Sequence, residues 1–235
     1  MEKKKCTAIV LAAGKGTRMG TKIHKQYLEI CGRPVLYYAV NAFEQSEIID
    51  NIILVTGAEE IDYCKNEIVD KYNLTKVSNI ICGGNERYNS VYNGLKCVDH
   101  DGFVFIHDGA RPFVDKESIE RAYNTVREEN ACIVAMPVKD TIKISDKTGH
   151  VASTPDRSTV WMVQTPQVFR MALIKEAYTK VMETDCKGVT DDAMVVEQMT
   201  GHPVKFVEGS YMNIKITTPE DLAIGELFVK TMGLV

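Results

Sequence analysis

Thr7-Ala-Ile-Val-Leu-Ala-Ala-Gly-Lys-Gly-Thr-Arg-Met-Gly20 decides the fold. Its first half, residues 7–13, is a continuously apolar run, and its second half interleaves glycines with cations. A run that is apolar throughout, rather than at every second position, reads as a strand covered on both faces. Four more runs of this kind follow, at 51–56, 77–82, 103–107 and 131–137. Between them, 34–46, 58–72, 86–98 and 116–130 carry helical patterns. In the first, Val35, Ala39, Ala42 and Phe43 share one face and Pro34 suits the first turn. Strand–helix–strand repetition implies right-handed crossovers and a mostly parallel, twisted sheet. The expected fold is α/β, in a single domain over 1–235.

The rhythm breaks at 138–160. Asp140-Thr-Ile-Lys-Ile-Ser145 alternates in polarity, Asp146-Lys-Thr-Gly149 reads as a turn, and His150-Val-Ala-Ser153 begins a return strand. This is an inserted β-hairpin, and an isolated two-stranded ribbon is marginal in water, so it should pack on its own domain or on a second subunit. The α/β pattern then resumes with a helix at 170–183, another opening at Thr190, and strands near 204–207 and 211–217. Thr218-Pro219-Glu220-Asp221 reads as a capped start for a final helix.

Lys+Arg 28 against Asp+Glu 32 leaves a net charge of −4, so no bulk positive field invites nucleic acid. No apolar run approaches a membrane span. Seven cysteines without a CxxC pair, and without ligand-like spacing to the five histidines, suit a reducing compartment better than disulfides or zinc. The expected location is the cytoplasm, with Glu2-Lys3-Lys4-Lys5 and the apolar run after it read as the approach to a first strand rather than a secretory signal.

In an open parallel sheet, ligands bind beyond the carboxyl ends of the strands. After the first strand, Gly14, Gly16 and Gly20 let backbone N–H groups approach phosphate oxygens, among the cations Lys15, Arg18, Lys22 and Lys25. A solvated flexible loop is the plain alternative. A P-loop is excluded because Gly14-Lys15 is followed by Gly16 rather than Ser or Thr, and a dinucleotide turn because the spacing is GxGxxxG. After the third strand, Gly83-Gly84-Asn85-Glu86-Arg87 allows close approach of a flat base, or is an ordinary tight turn. After the fourth, Asp108 stands where it could hold Mg²⁺ on a triphosphate, or could simply pair with Arg111. His107 reads as a packed histidine. Taken together, the three loops describe a nucleoside triphosphate site with a metal, and no Ser/His/Asp or Cys/His set is apparent. Cations and positioning suit transfer at phosphorus.

Leu11-Ala-Ala-Gly-x-Gly-x-Arg-Met-Gly20, Lys25-Gln26-Tyr27, Gly83-Gly84-x-Glu-Arg87, His107-Asp108-x-Ala-Arg-Pro112, Asp156-Arg157, Thr165-Pro-Gln167, Thr190-Asp191 and Asn213-Ile-Lys215 recur in an order that resembles the 2-C-methyl-D-erythritol 4-phosphate cytidylyltransferases. The resemblance spans essentially the whole chain and implies a Rossmann-like nucleotidyltransferase domain. It implies attack of the substrate's phosphate on the α-phosphorus of CTP, with pyrophosphate leaving and Mg²⁺ assisting. Arg18 and Lys25 would stabilise the transition state. Leu11, Ala12, Ala13, Gly14, Gly16, Gly83, Gly84, Asn85, Ser90, Gly109 and Lys215 would bind the nucleotide. Asp108, Arg111, Thr141, Arg157, Thr165, Thr190 and Lys215 would bind the polyol phosphate, with Asp108 also beside the metal. The hairpin would be a homodimerisation arm carrying Thr141 and Arg157 into the partner's site. Gly109 replaces a usual alanine, Asn85 an aspartate and Asp192 a glutamate. The position of Gly109 also varies in ribitol 5-phosphate cytidylyltransferases, which are the rival reading. A silent nucleotide-binding module is the other.

Overall fold

A computed structural model describes residues 3–14, 24–184 and 188–234. In chain order its elements are β1 (Cys6–Leu11), a 3-10 turn (Lys25–Tyr27), β2 (Glu29–Ile30), β3 (Arg33–Pro34), α1 (Val35–Glu44), β4 (Asn51–Thr56), α2 (Ile61–Tyr63), β5 (Val77–Cys82), α3 (Arg87–Lys96), β6 (Phe103–Asp108), α4 (Lys116–Glu129), β7 (Ala131–Pro137), β8 (Ile144–Ser145), β9 (Val151–Ser153), β10 (Trp161–Arg170), α5 (Met171–Glu183), α6 (Asp192–Thr200), β11 (Lys205–Glu208) and α7 (Pro219–Thr231).

Seven strands form one sheet in the order β11-β7-β10-β6-β1-β4-β5. β1 shows why the runs are apolar throughout. Ala8 and Val10 face a cluster with Leu36, Val40 and Phe43 of α1 and Ile119 of α4, whereas Ile9 faces Val91 and Leu95 of α3 and Ile174 of α5. Both faces are covered by helices, so both must be apolar. α7 packs elsewhere, with Ile30, Val35, Phe113 and Val229 in a third cluster around β2 and β3.

Three expectations change. Residues 161–170, which carry no strand signal, form β10, antiparallel to both β6 and β7 in an otherwise parallel sheet. Residues 211–217 make no ladder: Tyr211 and Met212 lie in a turn, and the Ile216 N–H donates to Ala110 O at 2.8 Å. Pro34 closes β3 and flanks α1, so Val35 is the first helical residue. The 58–72 helix is present but irregular, with a π-helical stretch at Cys64–Asp70.

Helix ends match their sequence signals. Asp115 accepts from Ser118 N at the start of α4, and left-handed Asn130 ends it. Thr218 and Asp221 form a reciprocal capping box on α7 with Pro219 behind the cap. The 138–160 hairpin is real but short: β8 pairs β9 antiparallel, and Ile144 and Val151 are 51% and 64% exposed.

Candidate active site

The carboxyl ends of β1, β5 and β6 meet because their registers are aligned. Leu11 pairs with Asp108, Gly109 N donates to Leu11 O at 2.8 Å, and Gly83 N donates to Thr56 O at 2.8 Å. A side chain at Gly83 would meet Ala13 Cβ at 2.6 Å and Ser90 Oγ at 2.7 Å, so only glycine lets the end of β5 approach β1 this closely. Above these ends opens a cleft of about 920 Å³. Leu11, Ala12, Ala13 and Gly14 line one side, and Gly84, Asn85 and Ser90 line another. Lys25, Asp108 and Lys215 complete the wall. Most of the residues expected to bind nucleotide are therefore gathered in one place. Gly16 and Arg18 lie outside the described residues.

Ser90 fixes the glycine turn: its Oγ accepts from Gly84 N at 3.0 Å and lies 3.3 Å from Glu86 O, to which it donates. On the opposite wall, buried Gln26 donates from Nε2 to Ala12 O at 2.6 Å and Gly14 O at 3.1 Å. One carboxamide thus ties the residue beside Lys25 to the backbone leaving β1. Neither the packing of Gln26 nor its two partners is visible in a local motif.

Asp108 is the electrostatic centre. Lys215 Nζ donates to its Oδ2 at 2.7 Å, and Arg87 Nε reaches its Oδ1 at 3.4 Å. Burial alone would raise its pKa, but Arg87, Lys215 and Arg111 prevail and hold the carboxyl far below the usual range. It is a carboxylate at any working pH. The alternative in which Asp108 simply pairs with Arg111 is not what is seen: Arg111 donates to Asn213 O at 2.8 Å and Val163 O at 3.4 Å, behind the cleft wall.

Beneath Asp108 runs a hydrogen-bond chain whose polarity follows from its ends. His107 Nε2 must donate to the carbonyl of Arg111 at 2.9 Å, which leaves Nδ1 to accept from the Thr165 hydroxyl at 3.0 Å. The Thr165 oxygen in turn accepts from Asp108 N at 3.1 Å. The hydroxyl proton of Thr165 is committed inward, which fits a residue that holds Asp108 better than one that donates to a ligand. Gly109 is likewise wedged beneath the cleft, where an added Cβ would meet Leu36 Cδ1 at 2.8 Å.

Fully buried His107 is pushed down to about 4 by desolvation. The unfolded chain then binds the proton first, so this histidine contributes stability above about pH 6.5 that is lost as pH falls toward 4, by roughly 3 kcal/mol. The stability that depends on the Asp108 charge is lost in a lower window, below about pH 4. Urea unfolding of His107→Asn is expected to show a visibly flatter pH dependence between 4 and 6.5. An unchanged slope would assign that dependence to other groups.

Thr141 and Arg157 do not reach this cleft. Both are exposed on the hairpin segment, where Arg157 Nη1 donates to Lys139 O at 3.2 Å. Thr190 stands one residue before Asp191, the cap of α6. Sequence reading also misses Arg87 and Asp192, which form a two-pronged ion pair at 2.8 and 2.7 Å across 105 residues. Arg87 belongs to a quoted motif, yet its partner is legible only in three dimensions. Among the described residues, no three His, Cys, Asp or Glu side chains cluster as a metal site.

The family model for 2-C-methyl-D-erythritol 4-phosphate cytidylyltransferase matches residues 6–231. A protein of that name from Lachnospira eligens is 51% identical over 225 residues, covering 95% of this chain and 99% of its own. Another from Alkaliphilus oremlandii is 49% identical over 228 residues, covering 97% and 96%. The crystal structure of a 4-diphosphocytidyl-2C-methyl-D-erythritol synthase from Anaerococcus prevotii superposes with a TM-score of 0.85 at 36% identity, covering 97% of this chain and 96% of that one. The chain belongs to the 2-C-methyl-D-erythritol 4-phosphate cytidylyltransferase family.

Proposed function

We propose that this chain transfers CMP from CTP to 2-C-methyl-D-erythritol 4-phosphate in non-mevalonate isoprenoid biosynthesis. An oxygen of the acceptor's phosphate forms a bond to the α-phosphorus, the bond from that phosphorus to the β-phosphate oxygen breaks, and pyrophosphate leaves with its electron pair. The product is 4-diphosphocytidyl-2-C-methyl-D-erythritol. The observation that carries this reading is the convergence of glycine backbone, Lys25 and the Lys215–Asp108–Arg87 array in one cleft. Two polyanions must meet there, and fixed cations offset both their repulsion and the charge that builds at phosphorus.

In this reading Ala12–Gly14 and Gly83–Asn85 cradle the nucleotide, Arg18 and Lys25 act on the transferring phosphoryl group, and Lys215 grips phosphate. Arg111 and Thr165 support the acceptor side through Asp108. A divalent cation carried by phosphate oxygens requires only one or two protein carboxylates, and ionised Asp108 meets that need. Mg²⁺ bound there would neutralise triphosphate charge. The 138–160 arm dimerises two chains and brings Thr141 and Arg157 to the partner's cleft. Its exposed apolar residues Ile144 and Val151 support that reading, as does the position of Arg157 outside its own chain's cleft. Action in the cytoplasm belongs to the same reading. No described helix is long and apolar enough to cross a membrane.

Pyrophosphate release from CTP and Mg²⁺, measured separately with methylerythritol phosphate and ribitol 5-phosphate, tests the assignment. Release with the first alone is expected. Release only with ribitol phosphate would transfer the assignment to the related enzyme, and release with neither would leave a nucleotide-binding module.

A further inference from the structure

We infer that Arg87 is a positioning residue: it holds the Asp108 side chain aimed while Lys215 turns to the acceptor's phosphate. The inference rests on the function proposed above. Arg87 opens α3, directly after the Gly83-Gly84 turn on the nucleotide side of the cleft. Both of its terminal nitrogens are spent on Asp192, leaving Nε as the group that faces Asp108.

Asp192 is a rigid anchor. It is fully buried, and its Oδ1 also accepts from the hydroxyl of Tyr178. Its backbone N–H and that of Ala193 both donate to Gln167 Oε1 at 2.9 Å, and Gln167 Nε2 donates to Asp191 Oδ2 at 3.0 Å. A planar fork seated on such a carboxylate cannot rotate, so its Nε points in a fixed direction. The strut therefore ties three places together: the nucleotide turn, Asp108 at the tip of β6, and the start of α6 beside Thr190.

Lys215 differs in each respect. Its ammonium is a single point charge on a flexible stem, and 38% of the side chain is exposed. Once it moves to a phosphate, Asp108, with only 13% of its side chain exposed, would be left without its nearest cation. A carboxylate in that position would be free to swing away. Arg87, itself immobile, holds it in place.

A purely architectural ion pair would also be destabilising to break, so the test separates folding from turnover. Arg87→Met should lose both, because it strands buried Asp192. Arg87→Met/Asp192→Leu removes both charges. We expect its urea midpoint to return close to wild type while kcat/KM for the acceptor stays at least about tenfold down, with KM for CTP changed less than about twofold. Arg87→Lys, which cannot span Asp192 and Asp108 together, should show the same one-sided rise in acceptor KM. Should the double variant fail to fold, Arg87→Lys decides. Recovery of acceptor kcat/KM along with stability in the double variant, or wild-type acceptor KM in Arg87→Lys, would reduce the pair to architecture. Wild-type turnover in the same assay separates failure of this inference from failure of the assigned reaction.

Discussion

Replacing Lys25 by alanine is expected to lower kcat by about 10²–10³-fold while changing CTP affinity less than about threefold. The asymmetry follows from how the residue is held. Lys25 sits in the 3-10 turn Lys25–Tyr27, on the cleft wall. His24 before it lies 2.8 Å from Glu60, buried Gln26 after it is tied to Ala12 O and Gly14 O, and the Tyr27 hydroxyl is 2.6 Å from Thr56 Oγ1. The backbone of Lys25 is thus braced on both sides. A cation presented from a braced backbone interacts most with charge that appears only as the phosphorus gains its fifth oxygen. In the proposed site the CTP ground state would already have Mg²⁺ and backbone N–H groups to offset its charge. Single-turnover rates alongside equilibrium nucleotide binding measure the two effects separately. Comparable losses in both would make Lys25 a ground-state contact.

Arg157→Ala should reduce acceptor kcat/KM by about 10²-fold, and mixing it with Lys25→Ala protein should restore activity to about a quarter of wild type. Random reassociation makes half of the dimers mixed. If Arg157 serves the partner's cleft, each mixed dimer has one site with both defects and one intact. The geometry behind the expectation is that Arg157 stands on an exposed ribbon and donates to Lys139 O, while its own chain's cleft is walled by other residues. A ribbon with Ile144 and Val151 turned to solvent has little to hold it unless a second surface covers them. Activity that stays at the level of the parent variants, despite mixed dimers confirmed by mass, would place Arg157 in its own subunit's function.

The parts of the fold legible in the sequence are those whose cause is local. β1, β4, β6 and β7 are doubly covered strands, and a continuous apolar run is the direct imprint of that environment, whereas β5, at the sheet edge, has no buried residue and carries Ser78 and Asn79 exposed. β10 escapes because Gln164, Thr165, Pro166 and Gln167 interrupt its run. Those polar residues serve the site instead: Thr165 holds Asp108 and Gln167 orders the start of α6. Residues 211–217 look like a strand because Ile214 and Ile216 alternate with polar neighbours, yet they bury against the α7 layer without a ladder partner. For the site, the glycine turns and Asp108 could be placed from position alone, since chain order puts them at adjacent strand ends. The ion pairs could not, because Asp108 meets Lys215 across 107 residues and Arg87 meets Asp192 across 105. A simple Asp108–Arg111 pair, the plain alternative for residues three apart, does not form because the nearby carbonyls of Asn213 and Val163 take the terminal nitrogens of Arg111.

In the proposed reaction the acceptor's phosphate reaches the α-phosphorus directly, in a single displacement, with the protein supplying charge and alignment but no covalent intermediate. The stereochemical course at that phosphorus tests it most directly, using CTP made chiral at the α-position by sulfur substitution and analysing the configuration of the product. One in-line displacement predicts inversion. Retention would require two displacements and a nucleotidylated protein, and would rule out direct transfer.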